Sequence, residues 1–146
     1  MIYTFLTKKA MKLAYAAHHG QTDKSGVPYI FHPIHLAEQM EDEATTIAAL
    51  LHDLIEDSDY TLDDLRAEGF PQPVLDALDL LTHTKGTPYL DYIKSLRNNY
   101  IAATVKRAAL RHNIDLTRLG IVDEQTLKRI EKYQNALKIL ENENNG

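Results

Sequence analysis

Apolar residues recur every three or four positions along most of the chain, which is the period of an amphipathic α-helix. The first such segment runs from Thr4 to His18 and stops before Gly20. Glycine and proline, which interrupt regular structure, fall almost only between the helical segments. The period-two alternation that is typical of half-buried strands is nowhere convincing. The pattern therefore predicts an all-α protein.

The remaining helical segments follow one another with short connections. In chain order they are a short helix from Pro33 to Met40, a helix from Glu43 to Ile55, a short helix between Thr61 and Gly69, two helices that begin near Pro73 and Pro88, and helices over Ile101–Leu119 and Asp123–Asn142. The segment that starts at Glu43 is almost wholly apolar in TTIAALLHDLI, so we expect it to lie in the core. We predict one domain over residues 1–146, a bundle of about seven or eight helices, with a disordered tail over about 142–146.

Local signals predict where some of these helices begin. Thr61 precedes Asp64 by three positions, which is a variant of the capping box. Pro73 and Pro88 are expected at the first helical position, where a missing backbone N–H is tolerated.

Composition narrows the class of protein. The chain has 146 residues, of which 44% are hydrophobic and 25% charged, a mixture typical of a soluble globular domain. No run approaches the roughly 20 apolar residues of a membrane span, and the N-terminus MIYTFLTKKA lacks the order of an export signal. Because the chain has no cysteine, disulfides and thiolate metal sites are excluded, and we expect a cytoplasmic protein. The net charge of −5 argues against a nucleic-acid partner, which needs a basic surface.

Four ionisable residues follow the apolar run, namely His52, Asp53, Glu56 and Asp57. In a helix of 3.6 residues per turn they share one face. Burying these groups together is unfavourable unless a cation compensates them, which favours a metal site. The spacing alone also fits a solvated helix end in which only the neighbouring leucines face the core. Both interpretations stay open at this point.

Another histidine favours the metal site. His32 lies in GVPYIFHP, a turn constrained by Pro28 and by Pro33, which starts a helix. Imidazole nitrogens together with an aspartate oxygen suit Mn, Fe or Zn better than Ca. An ion bound there would polarise a phosphoryl oxygen and lower the pKa of bound water. Glu56 and Asp57, one turn further on, would orient this water and move protons.

Three segments, in this order, resemble the HD-domain hydrolases of the RelA/SpoT family, and most closely its small stand-alone alarmone hydrolases: GQTDKSGVPYIFHP, AALLHDLIED and VKRAALRHNIDLTRL. The likeness spans about residues 10 to 140. Its paired HP and HDxxED motifs are far more specific than an HD dipeptide alone. The resemblance implies an all-α HD domain that hydrolyses the 3′-pyrophosphate of ppGpp and pppGpp with one Mn ion, and hence a role in the stringent response.

The resemblance also implies roles for individual residues. It assigns metal ligation to His32, His52 and Asp53, acid–base and water-positioning work to Glu56 and Asp57, and nucleotide binding to Lys24, Ser25 and Asn113. The expected cofactor is Mn²⁺, with another divalent transition metal as the alternative. The expected partner is a small nucleotide substrate, without nucleic acid or membrane, and a homodimer is left open.

The sequence departs from the family pattern at three positions. The family's fourth metal ligand is an aspartate in a KLAD-type motif, and Ala109 stands at that place, which leaves three protein ligands and weaker metal binding. Asp23 stands where the family commonly has an arginine that stacks on guanine, and Leu116 where threonine is frequent, so specificity for guanine is open. Two functions therefore remain: a 3′-pyrophosphohydrolase, and an HD module that binds an alarmone or related nucleotide without hydrolysing it.

Other polar residues receive structural interpretations. Arg107, Arg111 and Arg118 line one stripe of a predicted helix, which we expect to face solvent or a subunit rather than a phosphate. His83 is expected at the surface or in a packing contact. His112 either supports the metal site or merely packs, and the sequence does not choose between the two.

Overall fold

The computed structural model describes residues 1–142, which form helices joined by short loops. In chain order the helices are α1 (Phe5–His18), α2 (Phe31–Glu38), α3 (Glu43–Leu51), α4 (Leu54–Asp57), α5 (Leu62–Ala67), α6 (Gln72–Leu81), α7 (Tyr89–Leu96), α8 (Tyr100–Asn113) and α9 (Glu124–Asn142), with a 3₁₀ turn at Leu116–Arg118. Over these residues no β-strand forms, and Thr22 and Pro28 make an isolated bridge. The all-α prediction is confirmed, and the described residues contain eight α-helices when α3 and α4 are counted as one interrupted helix. The predicted disordered tail lies, beyond residue 142, outside the described residues.

Helix α3 lies at the centre of the bundle, as its apolar sequence predicts. It begins at the cap residue Asp42, whose carboxylate accepts a hydrogen bond from the backbone N–H of Thr45 at 2.7 Å. Every residue from position 45 to position 51 is buried. Helices α1, α2, α6 and α8 all pack against α3. Side chains at either end of α3 therefore have fixed positions relative to the core.

The helix that was predicted to continue to Ile55 is interrupted at His52 and Asp53. The imidazole of His52 donates Nδ1–H to the carbonyl oxygen of Ala49 at 2.7 Å. In an unbroken helix this carbonyl would accept from the backbone N–H of Asp53, so the side chain takes the place of that bond. Asp53 then has φ −103° and ψ 1°, and α4 begins after it as a separate turn.

Helix α8 also ends earlier than predicted, at Asn113 rather than Leu119. Asp115 caps the 3₁₀ turn that follows, because its carboxylate accepts the backbone N–H of Thr117 at 3.0 Å. Such a side-chain bond offers the backbone an alternative to continued helix. The residues after Asn113 therefore leave the direction of α8 and turn back towards the loop before α2, where Ser25 donates to the carbonyl of Arg118.

The predicted helix starts are correct to within one residue except for α2, which begins at Phe31 rather than at Pro33. The capping box is present, since the side chains of Thr61 and Asp64 each accept the other's backbone N–H, at 3.2 and 2.9 Å. Pro73 occupies the second position of α6, and Pro88 is the residue before α7, so neither lies at the first position. Both places are compatible with proline, because the first N–H groups of a helix have no intrahelical partner. Within residues 1–142, no helix has the length and apolar character that crossing a lipid bilayer requires.

Candidate active site

Three of the predicted residues come together at the end of α3. His32 lies in the first turn of α2, His52 directly follows α3, and Asp53 precedes α4. Each offers one donor atom, and these atoms lie within 4.8 Å of one another. Both histidines are buried, with 5% of their surface exposed. The structure thus brings the three predicted ligands into one cluster.

The imidazole of His52 has the orientation that a metal ligand needs. Nδ1 donates to the carbonyl of Ala49, and Nε2 is thereby directed at Oδ2 of Asp53, to which it donates at 3.0 Å. Metal-binding histidines are commonly oriented through their other ring nitrogen in this way. Burial alone would lower the pKa of His52, but the Asp53 carboxylate outweighs it and raises that pKa. The two groups pair with each other, a contact that a divalent cation would replace.

His32 is held by a second imidazole. Its Nδ1 lies 2.7 Å from Nδ1 of His112, and the two rings stack with centroids 4.9 Å apart. Burial, together with the charge of His52, holds the pKa of His32 well below its ordinary value. Burial and the Arg118 guanidinium lower the pKa of His112 to about 4. Both rings are therefore neutral at pH 7, and of the two roles left open for His112, the contact favours support of the metal site.

Asp53 is ionised in spite of its surroundings. Burial would raise the pKa of its carboxyl group, but the charge and hydrogen bond of His52 and the hydroxyl of Tyr29, which donates to Oδ2, hold it well below its usual range. Two imidazoles and one carboxylate fit a borderline divalent metal such as Mn²⁺ or Zn²⁺. Within residues 1–142, this is the one cluster of histidine and acidic side chains with such geometry.

Ala109 lies in the wall of the same site. It is 2% exposed, belongs to α8, and lines a cavity together with the three donors. A methyl group therefore occupies the place where the resemblance predicts a fourth ligand.

The cavity in front of the cluster, which we call the main cavity, has a volume of about 430 Å³. This size is within the usual range for small-molecule sites. Lys24, Ser25 and Asn113, the three predicted nucleotide-binding residues, all line it. The hydroxyl of Ser25 already has partners in the protein: Oγ donates to the carbonyl of Arg118 at 2.9 Å and accepts the N–H of Gly120 at 3.2 Å.

The two predicted catalytic acids differ in their access to the cavities beside the cluster. Glu56 lines a second cavity of about 220 Å³, which we call the side cavity and which shares His52 and Asp53 with the main cavity. Its Oε1 accepts the backbone N–H of His83 at 2.5 Å. Asp57 is exposed and does not line either cavity. The interruption before α4 explains this separation, because residues 52 to 57 do not form the single continuous helix face that was predicted.

Several residues of the site were not predicted. Arg118 lines the main cavity, because α8 ends before it and the 3₁₀ turn redirects it. Its guanidinium donates to the carbonyl of His112 at 2.6 Å and lies 3.6 Å from the carboxylate of Asp23. The expectation that Arg118 faces solvent or a subunit was wrong. Lys106 of α8 lines both cavities. The only signal for it in the sequence was its position three residues before Ala109 in the family motif.

The loop position at which the family commonly has arginine has a structural role here. Oδ1 of Asp23 accepts the backbone N–H groups of Ser25 at 2.8 Å and Val27 at 3.0 Å. The acid therefore shapes the loop rather than presenting a flat cation to a base.

Together, the fold and the site define a class of protein: an all-α domain with a three-donor candidate metal centre next to a cavity of ligand size. The HD-domain family profile matches residues 10–119, which is more than half of the chain. The chain therefore belongs to the HD-domain family.

A solved structure supports the same fold. It is that of a metazoan ortholog of SpoT that hydrolyzes ppGpp, with a TM-score of 0.74, and the alignment covers 94% of this chain and 85% of that chain. The sequences are 21% identical, a level at which the likeness shows the fold alone.

Two curated relatives are longer proteins. The GTP pyrophosphokinase of Streptomyces antibioticus is 51% identical over 65 residues, which are 42% of this chain and 8% of that protein. The guanosine-3′,5′-bis(diphosphate) 3′-pyrophosphohydrolase of Borreliella burgdorferi is 32% identical over 122 residues, 80% of this chain and 17% of that protein. The chain thus spans less than a fifth of the length of either relative.

Proposed function

We propose that this chain is a metal-dependent phosphohydrolase that removes pyrophosphate from the 3′ position of ppGpp or a related nucleotide. The observation that carries the proposal is that the main cavity joins a His–His–Asp donor cluster to Lys24 and Asn113. The names of the similar proteins, a ppGpp-hydrolysing SpoT ortholog and a 3′-pyrophosphohydrolase, support the choice of substrate.

The donor cluster would hold the cofactor. We assign ligation to His32, His52 and Asp53, and the mixed nitrogen and oxygen donors support Mn²⁺ as the ion. When bound, the ion would supply Lewis acidity and an activated water. The protein's own part is to orient both imidazoles, His52 through Ala49 and His32 through His112.

Glu56 and Asp57 are assigned to proton transfer. The N–H of His83 holds Oε1 of Glu56, which leaves Oε2 to orient a water molecule and accept its proton. Partial burial and the charge of Asp53 raise the pKa of Asp57, which suits a carboxyl group that holds a proton and returns it. Because Asp57 lies outside both cavities, its role is to act through Asp53 or through water, rather than on the substrate.

The nucleotide would lie in the main cavity. Lys24 and Arg118 supply positive charge to its phosphates, and Asn113 supplies an amide to the base or sugar. Asp23 accepts hydrogen bonds from the loop backbone, so this position has no arginine that could stack on guanine. We therefore propose a purine nucleotide 3′-pyrophosphate as the substrate class, with ppGpp as the reference compound.

The proposed activity also implies a cellular partner, location and role. A small nucleotide as the only partner agrees with the net charge of −5, which disfavours nucleic acids. An intracellular alarmone substrate requires a cytoplasmic enzyme, and its removal would serve the stringent response.

The test measures pyrophosphate released from ppGpp by the full chain with Mn²⁺, with and without the change Ala109→Asp. We expect turnover in the parent chain that increases in Ala109→Asp. The alternative, an HD module that binds an alarmone without turnover, is not favoured, because the similar proteins carry the names of catalysts. Tight binding of ppGpp without pyrophosphate release from either folded protein would nevertheless establish that alternative and overturn the proposal.

A further inference from the structure

Tyr29 lines the main cavity but has no part in the roles assigned above. It lies two residues before α2, and its backbone is hydrogen-bonded on both sides. Its N–H donates to the carbonyl of Gln21 at 2.9 Å, and its carbonyl accepts the N–H of His32 at 3.0 Å. The backbone of Tyr29 is therefore fixed between the start of the loop that follows α1 and the helix that carries one of the predicted metal ligands.

Two imidazole rings pack against the ring of Tyr29. Its centroid lies 4.9 Å from that of His18 and 5.7 Å from that of His32. Both histidines are themselves buried, with 1% and 5% of their surface exposed. The phenol ring therefore has little freedom to turn, and its hydroxyl has a fixed place in the site.

The hydroxyl of Tyr29 donates a hydrogen bond to Oδ2 of Asp53, which lies 24 positions later in the chain. Burial raises the pKa of Tyr29, so the hydroxyl keeps its proton and remains a donor. The Asp53 carboxyl group is ionised, and a hydrogen bond to an ionised acceptor is stronger than one between neutral groups. The loop before α2 thus holds the acidic member of the donor cluster.

This bond gains importance when an ion occupies the cluster. Oδ2 of Asp53 has a second donor, Nε2 of His52, at 3.0 Å. A histidine that ligates a metal through Nε2 has no proton on that atom, so it no longer donates to the carboxylate. Within residues 1–142, the hydroxyl of Tyr29 is then the one side-chain donor that still holds Asp53.

We propose that Tyr29 is a positioning residue for the candidate metal centre, and that its hydroxyl orients the Asp53 carboxylate towards the space shared with His32 and His52. This role rests on the proposed function, which assigns Asp53 to metal ligation. Groups that orient a ligating side chain typically change metal affinity about 10–100-fold. A site with only three protein donors has no other ligand to compensate for a carboxylate that turns away.

The experiment titrates the full chain with Mn²⁺ in a calorimeter and compares the parent with Tyr29→Phe, which keeps the ring and removes only the hydroxyl. Tyr92→Phe is the matched control, because the hydroxyl of Tyr92 also donates inside the protein, but to the carbonyl of Leu81. We expect Tyr29→Phe to weaken Mn²⁺ binding about 10–100-fold and Tyr92→Phe to bind like the parent. Equal affinities of Tyr29→Phe and the parent, or equal losses in the two variants, would overturn the proposal.

Urea unfolding separates positioning of a ligand from a purely structural hydrogen bond. Both variants lose one internal hydrogen bond, so in EDTA each should have a lower free energy of unfolding than the parent. In a fixed excess of Mn²⁺ the deficit of Tyr29→Phe should grow, by about 1.4 kcal/mol for each tenfold loss of affinity, whereas that of Tyr92→Phe should stay the same. A deficit of Tyr29→Phe that is identical with and without Mn²⁺ would refute the positioning role.

Neither measurement requires turnover, so the two proposals can fail separately. A chain that does not hydrolyse ppGpp but loses Mn²⁺ affinity in Tyr29→Phe contradicts the proposed function alone. A chain that hydrolyses ppGpp and binds Mn²⁺ equally well with and without the hydroxyl contradicts the role of Tyr29 alone. A folded parent that binds no Mn²⁺ contradicts both.

Discussion

Replacing Ala109 with aspartate tests how the candidate metal centre is built. Ala109 is buried at 2% exposure and lines the main cavity with His32, His52 and Asp53, so a carboxylate at this position would join three existing donors. Loss of a residue that only supports a metal ligand typically changes affinity 10–100-fold. We therefore expect a direct fourth ligand to tighten Mn²⁺ binding by at least about tenfold. At a fixed excess of ion, this corresponds to about 1.4 kcal/mol of additional stabilisation.

The same substitution should have the opposite effect without metal. An added carboxylate would lie close to the half-buried Asp53 with no cation between them, which disfavours the charged form of both groups and destabilises the fold. The difference in unfolding temperature between Ala109→Asp and the parent should thus change sign between EDTA and excess Mn²⁺. Ala109→Asn, of similar size but without charge, is the control and should show no reversal. If both variants bound Mn²⁺ with equal affinity in a calorimetric titration, the placement of position 109 beside the metal would be refuted.

Three further predictions use the same proteins and assays. Glu56→Gln should keep the Mn²⁺ affinity of the parent and lose turnover about 100-fold or more, whereas His52→Ala should lose the metal. Equal loss of metal in both variants would contradict the assignment of His52 to metal ligation and of Glu56 to proton transfer. His112→Asn should weaken Mn²⁺ binding about 10–100-fold, because the contact with His32 is lost, and unchanged affinity would show mere packing. In EDTA, the free energy of unfolding should fall from about pH 6.5 towards pH 4, because the pKa values of His32 and His112 are lower in the folded protein than in the unfolded chain, which therefore takes up protons first. Urea titrations at each pH measure this decline, and His112→Asn should show a shallower one.

The parts of the site that could be predicted lie within short stretches of sequence. The burial of α3 follows from its run of apolar residues, and His52 and Asp53 follow that run directly. The interruption after Leu51 could not be predicted, because it depends on a side-chain bond from His52 that competes with a backbone bond. Periodicity describes how a helix continues and carries no information about such local competition.

Features that depend on packing between distant elements were also out of reach. The position of Arg118 depends on the end of α8 and on the cap that Asp115 provides. The side cavity depends on the contact of α7 with α9, which brings Lys132 to the ring of Tyr89. Each of these residues is unremarkable in its own segment, and no spacing within one helix connects them.

Because of the interruption between α3 and α4, the two parts of the site should differ in local stability. Residues of α3 are covered by four other helices, so their amide protons should exchange with solvent only when the whole protein unfolds. Helix α4 has four residues and an exposed end, so its amides should exchange through local opening that leaves α3 intact. The donor cluster would then remain assembled while Glu56 moves, and the acid could reposition during a reaction cycle without release of the ion.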